Sequence, residues 1–189
     1  MYEFILILLA YLLGSIPTAV WVSKYFFDID IRNYGSGNSG ATNTFRVLGS
    51  KAGSFVFFVD MLKGFMAVDL AYFIAKYQMD NVALTNFQVL LGIAAVVGHV
   101  FPIWANFKGG KGIATLFGMI LAIQPLVAAS LVVVFFFMLF VTRYVSLSSI
   151  VASIAFPVMI FFIFHEPEVM YRVFAVATAI LVVLTHHKN

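Results

Sequence analysis

IATLFGMILAIQPLVAASLVVVFFFMLFV, Ile113–Val141, decides how often this chain crosses a membrane. The run carries no charge, and it exceeds the ~20 residues that a straight helix needs to span a hydrocarbon core. Gln124-Pro125 interrupts it near the middle. Proline lacks the N–H that a helix interior requires, and its ring clashes with the preceding turn. The stretch is therefore either one kinked helix or two shorter helices meeting at a tight turn.

The remainder of the chain arbitrates. Of its 189 residues, 63% are hydrophobic and only 10% are charged, whereas a soluble domain carries roughly 25% charged residues. One globular core cannot absorb that much apolar surface, so lipid must be the solvent. Phe4–Tyr25, Ser54–Ala75, Val82–Trp104, Val145–Phe164 and Val169–Leu184 each suit one crossing. The first lacks a basic leader and a small-residue cleavage site, and reads as a retained helix. Splitting at Gln124-Pro125 gives seven crossings. Lys24, Arg32, Arg46, Lys51, Lys108, Lys111, Arg143 and Lys188 then share one side, Lys76 and Arg172 the other, and Lys63 lies within the second span. That asymmetry orients the N-terminus outside and the C-terminus in the cytoplasm. A six-crossing chain sends Arg143 and Lys188 outward. The expectation is an all-α integral membrane protein of about seven transmembrane helices, one domain over residues 1–189. Its outer loops are short, at Lys76–Asn81, Gln124–Pro125 and His165–Glu168.

The polar residues gather on the inner side. Arg32–Asn43, RNYGSGNSGATN, interleaves Gly35, Gly37 and Gly40 with Ser36, Asn38, Ser39, Thr42 and Asn43. Such glycines permit positive φ and let backbone N–H groups approach an anion. Arg46 follows one helical turn after Thr42, placed to offer a bidentate fork to phosphate. The second loop, FKGGKG, turns on Gly109 and Gly110, brings Lys108 and Lys111, and opens a helix at Gly112. A helix start favours anions. The P-loop spacing is not met, because Gly112 occupies the Ser/Thr place, which argues against nucleotide binding by that route. Flexible loops and positive-inside anchors are the plainer readings of both stretches.

Other polar residues carry less. Asp60 and Lys63 stand at i, i+3 and can pair on one helix face, and Asp69 reads as mid-span. His99, alone in an apolar segment, reads as a structural hydrogen-bond partner. Ser146 and Ser149, just past Arg143, either cap a helix or hold phosphate oxygens. His186 and Asn189, at i, i+3, are either a solvated tail or a proton acceptor and donor for acyl transfer. No His, Asp or Glu cluster has metal-ligand spacing, and the absence of cysteine excludes disulfides and thiolate nucleophiles.

With these motifs the chain resembles the bacterial acyl-phosphate-dependent glycerol-3-phosphate acyltransferases, small integral membrane enzymes. The likeness rests on GSIPTA (Gly14–Ala19), RNYGSGNSGATNTFR (Arg32–Arg46), DMLKG (Asp60–Gly64), GHVFPIWANFKGGKGIAT (Gly98–Thr115), RYVSLSSI (Arg143–Ile150) and HHKN (His186–Asn189). It implies seven helices with a cytoplasmic active site. It also implies acyl transfer from acyl phosphate to the 1-hydroxyl of glycerol 3-phosphate, the first step of phospholipid biosynthesis. The family's first motif falls on Ser36, Asn38, Thr42, Asn43 and Arg46, and its second on Lys108–Gly112. Its third motif is a His-Arg-x-Asn run. His186 and Asn189 match it, while His187 stands where arginine is usual.

The implied catalytic set is His186, Asn189, Ser36 and Arg46. Gly37, Asn38, Gly40, Thr42, Asn43, Lys108–Gly112, Ser146 and Ser149 bind substrate, and Asp60, Lys63, His99 and Arg143 give structural support. Acyl phosphate is already an activated mixed anhydride, so no enzyme nucleophile, metal or cofactor is needed. The implied partners are the two substrates, membrane lipid and the enzyme supplying acyl phosphate, with no nucleic acid. A transporter for a small phosphorylated anion is the rival from another class. It is disfavoured by the absence of an inverted repeat and by motifs gathered at one face.

Overall fold

The computed structural model describes residues 2–74 and 79–186, so His187, Lys188 and Asn189 lie outside the described residues, as does Lys76. Helices dominate. The first crossing is two pieces, α1 (Tyr2–Gly14) and α2 (Thr18–Phe27), and the second is α3 (Ala41–Asp69). There follow α4 (Asn81–Val100), α5 (Ile113–Ile123), α6 (Pro125–Thr142), α7 (Val145–Val158) with a π-helical continuation through Ile163, and α8 (Val169–His186). Among the described residues, five helical segments are long and apolar enough to cross a bilayer. With the charge-bearing α3 and the short apolar α5, these segments fit the all-α arrangement of about seven membrane helices.

Ile113–Val141 does divide at Gln124-Pro125. Pro125 takes the first position of α6, where its missing N–H costs nothing. Three other expectations need correction. The Phe4–Tyr25 span is broken at Ser15–Pro17, where Pro17 stands before α2 and the Ile16 carbonyl accepts from the Thr18 N–H and from Lys63 of another helix. The helix that holds the Ser54–Ala75 span starts much earlier and ends at Asp69. Two helical turns from Ala41 precede a break at Gly49, φ 84°, before the membrane-crossing part. Asp69, read as mid-span, is the last residue of α3.

Glycines set the helix spacing. A Cβ on Gly64 would stand 2.2 Å from the Thr115 carbonyl oxygen, and one on Gly118 would stand 1.9 Å from that of Met61, so α3 and α5 touch backbone to backbone. Gly14 and Gly98 do the same for α1 and α4. In lipid the hydrophobic effect does not drive helix association, and such close approach gains dispersion contacts instead. Phe156 on α7 packs edge-on against Tyr171 and Phe174 of α8 at 5.8 and 5.9 Å, locking the last two helices. Leu126, Phe136 and Phe140 of α6 face outward, as a lipid-contacting helix should. At the far end from the glycine loops, Gln124 and Glu166 hydrogen-bond and Arg172 donates to the Glu166 carbonyl, tying the α5–α6 turn to the α7–α8 turn.

Candidate active site

In an up-and-down run of these helices, the starts of α3, α5 and α7 and the ends of α4, α6 and α8 fall at one end of the bundle. The short α5 explains how its entrance is filled. Eleven residues rise only about 16 Å, too little to cross alone. The second glycine loop occupies the missing depth. Gly109 N–H donates to the Val100 carbonyl at 3.1 Å and Gly110 N–H to that of His99 at 3.2 Å, folding the loop back onto the end of α4. No side chain fits there: a Cβ on Gly109 would lie 1.9 Å from the His99 carbonyl oxygen, and one on Gly110 2.4 Å from His99 Nε2. Gly112, φ 79°, then turns the chain into α5.

Beneath this loop lies a closed polar knot. Lys63 Nζ stands 2.8 Å from Asp60 Oδ1 and donates to the Ile16 carbonyl at 2.9 Å. Thr18 donates its hydroxyl to the same Asp60 oxygen at 2.9 Å. His99 Nδ1 lies 3.8 Å from that oxygen and 3.2 Å from the Thr115 hydroxyl. All five side chains are buried. The cavity between them, which Ser39, Gly109 and Gly110 also line, measures about 10 Å³, enough for roughly one water and no substrate. The knot therefore joins both glycine loops to α2, α3 and α4. The expected Asp60–Lys63 pair is present, and His99 is the hydrogen-bond partner that its setting suggested. Thr18 was not singled out; its place directly after Pro17 was the available signal.

The first loop holds its own shape. Gly35 and Gly37 adopt positive φ (60° and 72°), whereas Gly40, expected to do likewise, is extended at φ −110° and precedes α3. Asn43 is buried, and its amide is committed to the loop's backbone. Oδ1 accepts from Ser36 N–H at 2.9 Å, and Nδ2 donates to the carbonyls of Tyr34 (3.0 Å) and Ile31 (3.3 Å). Ser36, Thr42 and Arg46 are exposed and Asn38 half-buried, on or beside the first turns of α3. Arg32 fastens the two loop regions. It grips Asp30 with Nε (2.9 Å) and Nη2 (2.6 Å) and donates Nη1 to the Ala105 carbonyl at 3.2 Å. The hydrogen bond from Arg32 holds the Asp30 carboxyl well below the usual carboxylate range.

Lys108 is exposed, but Lys111 is different. Its Nζ is shielded from solvent and has no hydrogen-bond partner among the described residues. Burial pulls its pKa below the ordinary lysine value. It stands directly before the N-terminal end of α5, where free N–H groups add positive potential, and it lies within electrostatic reach of His186. His186 Nδ1 is 2.8 Å from the Val182 carbonyl oxygen, which can only accept. Nδ1 therefore carries the proton, and Nε2 presents the lone pair.

Ser149 and Ser146 lie one turn into α7 on the same end; Ser149 is buried and donates to the Val145 carbonyl at 3.0 Å. Neither supplies a cap, since α7 starts after Tyr144 with no side-chain capping bond. Arg143, at φ 62°, ends α6 and rests its guanidinium 5.5 Å over the Phe140 ring. Asn189 lies outside the described residues.

The known proteins that resemble this chain agree with its architecture. The family model described as glycerol-3-phosphate acyltransferase matches residues 4–189. A protein of that name from Macrococcus caseolyticus is 45% identical over 186 residues, covering 98% of this chain and 90% of its own. Another from Streptococcus pneumoniae is 40% identical, covering 100% and 88% respectively. The crystal structure of PlsY (YgiH), an integral membrane glycerol 3-phosphate acyltransferase in its glycerol 3-phosphate form, superposes with a TM-score of 0.86 at 38% identity. It is covered to 90%, over the whole of this chain, and the lysophosphatidic acid form superposes with a TM-score of 0.82. The chain, a multi-pass membrane protein, thus belongs to the glycerol-3-phosphate acyltransferase family.

Proposed function

We propose that the protein transfers a fatty acyl group from acyl phosphate to the 1-hydroxyl of glycerol 3-phosphate, giving 1-acylglycerol 3-phosphate and inorganic phosphate. The observation that carries this reading is the Lys111 ammonium, without a hydrogen-bond partner among the described residues and within electrostatic reach of His186, in a chain of this family. Two anionic reactants must be held together against their repulsion, and a preformed positive pocket offsets that cost before they arrive. Lys108–Gly112 with the start of α5 hold one phosphate. Arg46, Ser36, Asn38 and Thr42 hold the other, on a loop shaped by Gly37, Gly40 and Asn43. Ser149 and Ser146 line the donor side.

The substrate hydroxyl oxygen bonds to the acyl carbon, the carbon–oxygen bond to phosphate breaks, and phosphate leaves with the electron pair. The hydroxyl proton passes to Nε2 of His186, with Asn189 steadying the reacting groups; a substrate phosphate oxygen is the competing acceptor. The site faces the cytoplasm, following the positive-inside bias of the loops. Purified protein in detergent, given glycerol 3-phosphate and a long-chain acyl phosphate, should form lysophosphatidic acid and release phosphate. Thioester donors, acyl-CoA and acyl carrier protein, should be turned over far more slowly. Faster turnover with a thioester would overturn the donor assignment. Uptake of glycerol 3-phosphate into sealed vesicles without acylation would favour a transporter instead.

A further inference from the structure

Beside the two glycine loops, a groove of about 310 Å³ opens between α2 and the turn following α4. Its lining includes Trp21, Lys24, Tyr25, Arg32, Trp104 and Asn106. The chain has only two tryptophans, and both are here. Trp21, Tyr25 and Trp104 are all exposed. Tryptophan and tyrosine collect where membrane meets water. The groove therefore opens at headgroup level, on the same end of the bundle as the glycine loops. Its charge is positive: Lys24 and Arg32 share the single carboxylate of Asp30, at 3.3 and 2.6 Å. One cation remains in excess, and the Lys24 side chain is half exposed.

We infer that this groove binds the phosphodiester headgroup of an anionic phospholipid. The lipid phosphate sits against Lys24 and Arg32, its polar headgroup meets the Asn106 amide, and its chains descend along the Val20–Trp21 face of α2. A free phosphate would use the two cations and leave three aromatic rings without purpose; a lipid uses both. None of Ser36, Arg46, Lys111 or His186 lines the groove, so the inference does not rest on the acyl-transfer reading.

The two tryptophans report occupancy directly. The full-length protein in nonionic detergent is titrated with phosphatidylglycerol or phosphatidylcholine carrying brominated chains, and tryptophan quenching is followed. Phosphatidylglycerol should quench half-maximally at about a fivefold lower mole fraction, the preference that one basic residue near a lipid phosphate supports. Added salt should shrink the preference. Lys24→Gln should bring the two curves together, while its emission maximum in lipid-free detergent stays that of the parent. Equal quenching of the parent protein by both lipids, or a preference insensitive to salt, overturns the inference. So does relief of the quenching by inorganic phosphate, which would make the ligand a free anion. Acyl transfer is not the readout, so loss of the lipid preference and loss of the proposed reaction are separable results.

Discussion

Replacing Lys111 with methionine should make the protein more stable and nearly inactive. The ammonium is shielded from water and has no hydrogen-bond partner among the described residues, and the start of α5 adds positive potential beside it. An unsatisfied buried polar group costs about 1–3 kcal/mol, more when charged. Lys111 is close to the protein surface, so the lower part of that range applies, and methionine keeps the stem's packing. A gain of ~1 kcal/mol corresponds to about 2–4 °C in melting temperature for a chain of this size. The pH dependence has a definite sign. Because burial lowers the folded-state pKa of Lys111, its penalty is present while the ammonium is charged. The advantage of methionine should therefore be full at neutral pH and shrink as alkali deprotonates the lysine.

Activity moves the other way. A hydrogen bond to a charged group contributes about 1.5–3 kcal/mol, so kcat/KM for glycerol 3-phosphate or acyl phosphate should fall roughly 10- to 150-fold. Thermal unfolding in detergent and a phosphate-release assay on the same preparation measure both. A variant that is destabilised yet within twofold of parental kcat/KM would refute the assignment of Lys111 as a waiting anion partner.

Three further outcomes are expected. Lys63→Met takes from Asp60 its ammonium partner, leaving the Thr18 hydroxyl and the more distant His99 ring, and should cost about 3–5 kcal/mol, whereas Asp60→Leu combined with Lys63→Met should recover much of that loss; a double variant as unstable as the sum of the singles would remove the pairing argument. Gly110→Ala places a methyl against His99 Nε2 and should depress turnover at least tenfold by shifting the Lys111 loop, with insertion into the membrane unchanged on fractionation. Asp30→Asn should cost about 1 kcal/mol at neutral pH, the partial exposure of its pair with Arg32 keeping the figure small. Because the folded carboxyl is held below its ordinary range, the melting curves of parent and variant should converge only as acid protonates Asp30 in the folded protein.

Which features were legible in the sequence follows from the range of the forces involved. Hydropathy acts over one helix length, so the crossings and the division at Pro125 could be read directly. The Asp60–Lys63 pair is local, at i, i+3, and was equally visible. The break at Ser15–Pro17 was not, because hydropathy runs through it and its stabilising partner is Lys63, on another helix. Pro17 was the one local signal. Gly35 and Gly37 take the positive φ that their composition suggested, but Gly40 does not, since tertiary contacts select the conformer that glycine merely permits. Composition likewise cannot say where an amide points. Asn43 appeared among substrate ligands in a polar loop, yet all its described bonds go to that loop's own backbone.

Lys63 and Lys111 show why the partner inventory matters more than residue type. Both bring an ammonium into the protein near the second glycine loop, and both are hydrophilic residues in an apolar chain. Lys63 has a carboxylate and a backbone carbonyl at 2.8 and 2.9 Å. An anion approaching it would have to displace Asp60, at the cost of leaving that carboxylate buried without its countercharge. Lys111 has no hydrogen bond to break among the described residues. An anion arriving there regains the solvation that the ammonium lost on folding, and it gains the potential of the α5 terminus as well. The first lysine therefore resists ligand and holds the loops together, while the second favours ligand at the expense of the empty protein. A phosphate-dependent rise in melting temperature that survives in Lys108→Gln and disappears in Lys111→Met would separate these roles. Persistence of that rise in Lys111→Met would place the anion elsewhere.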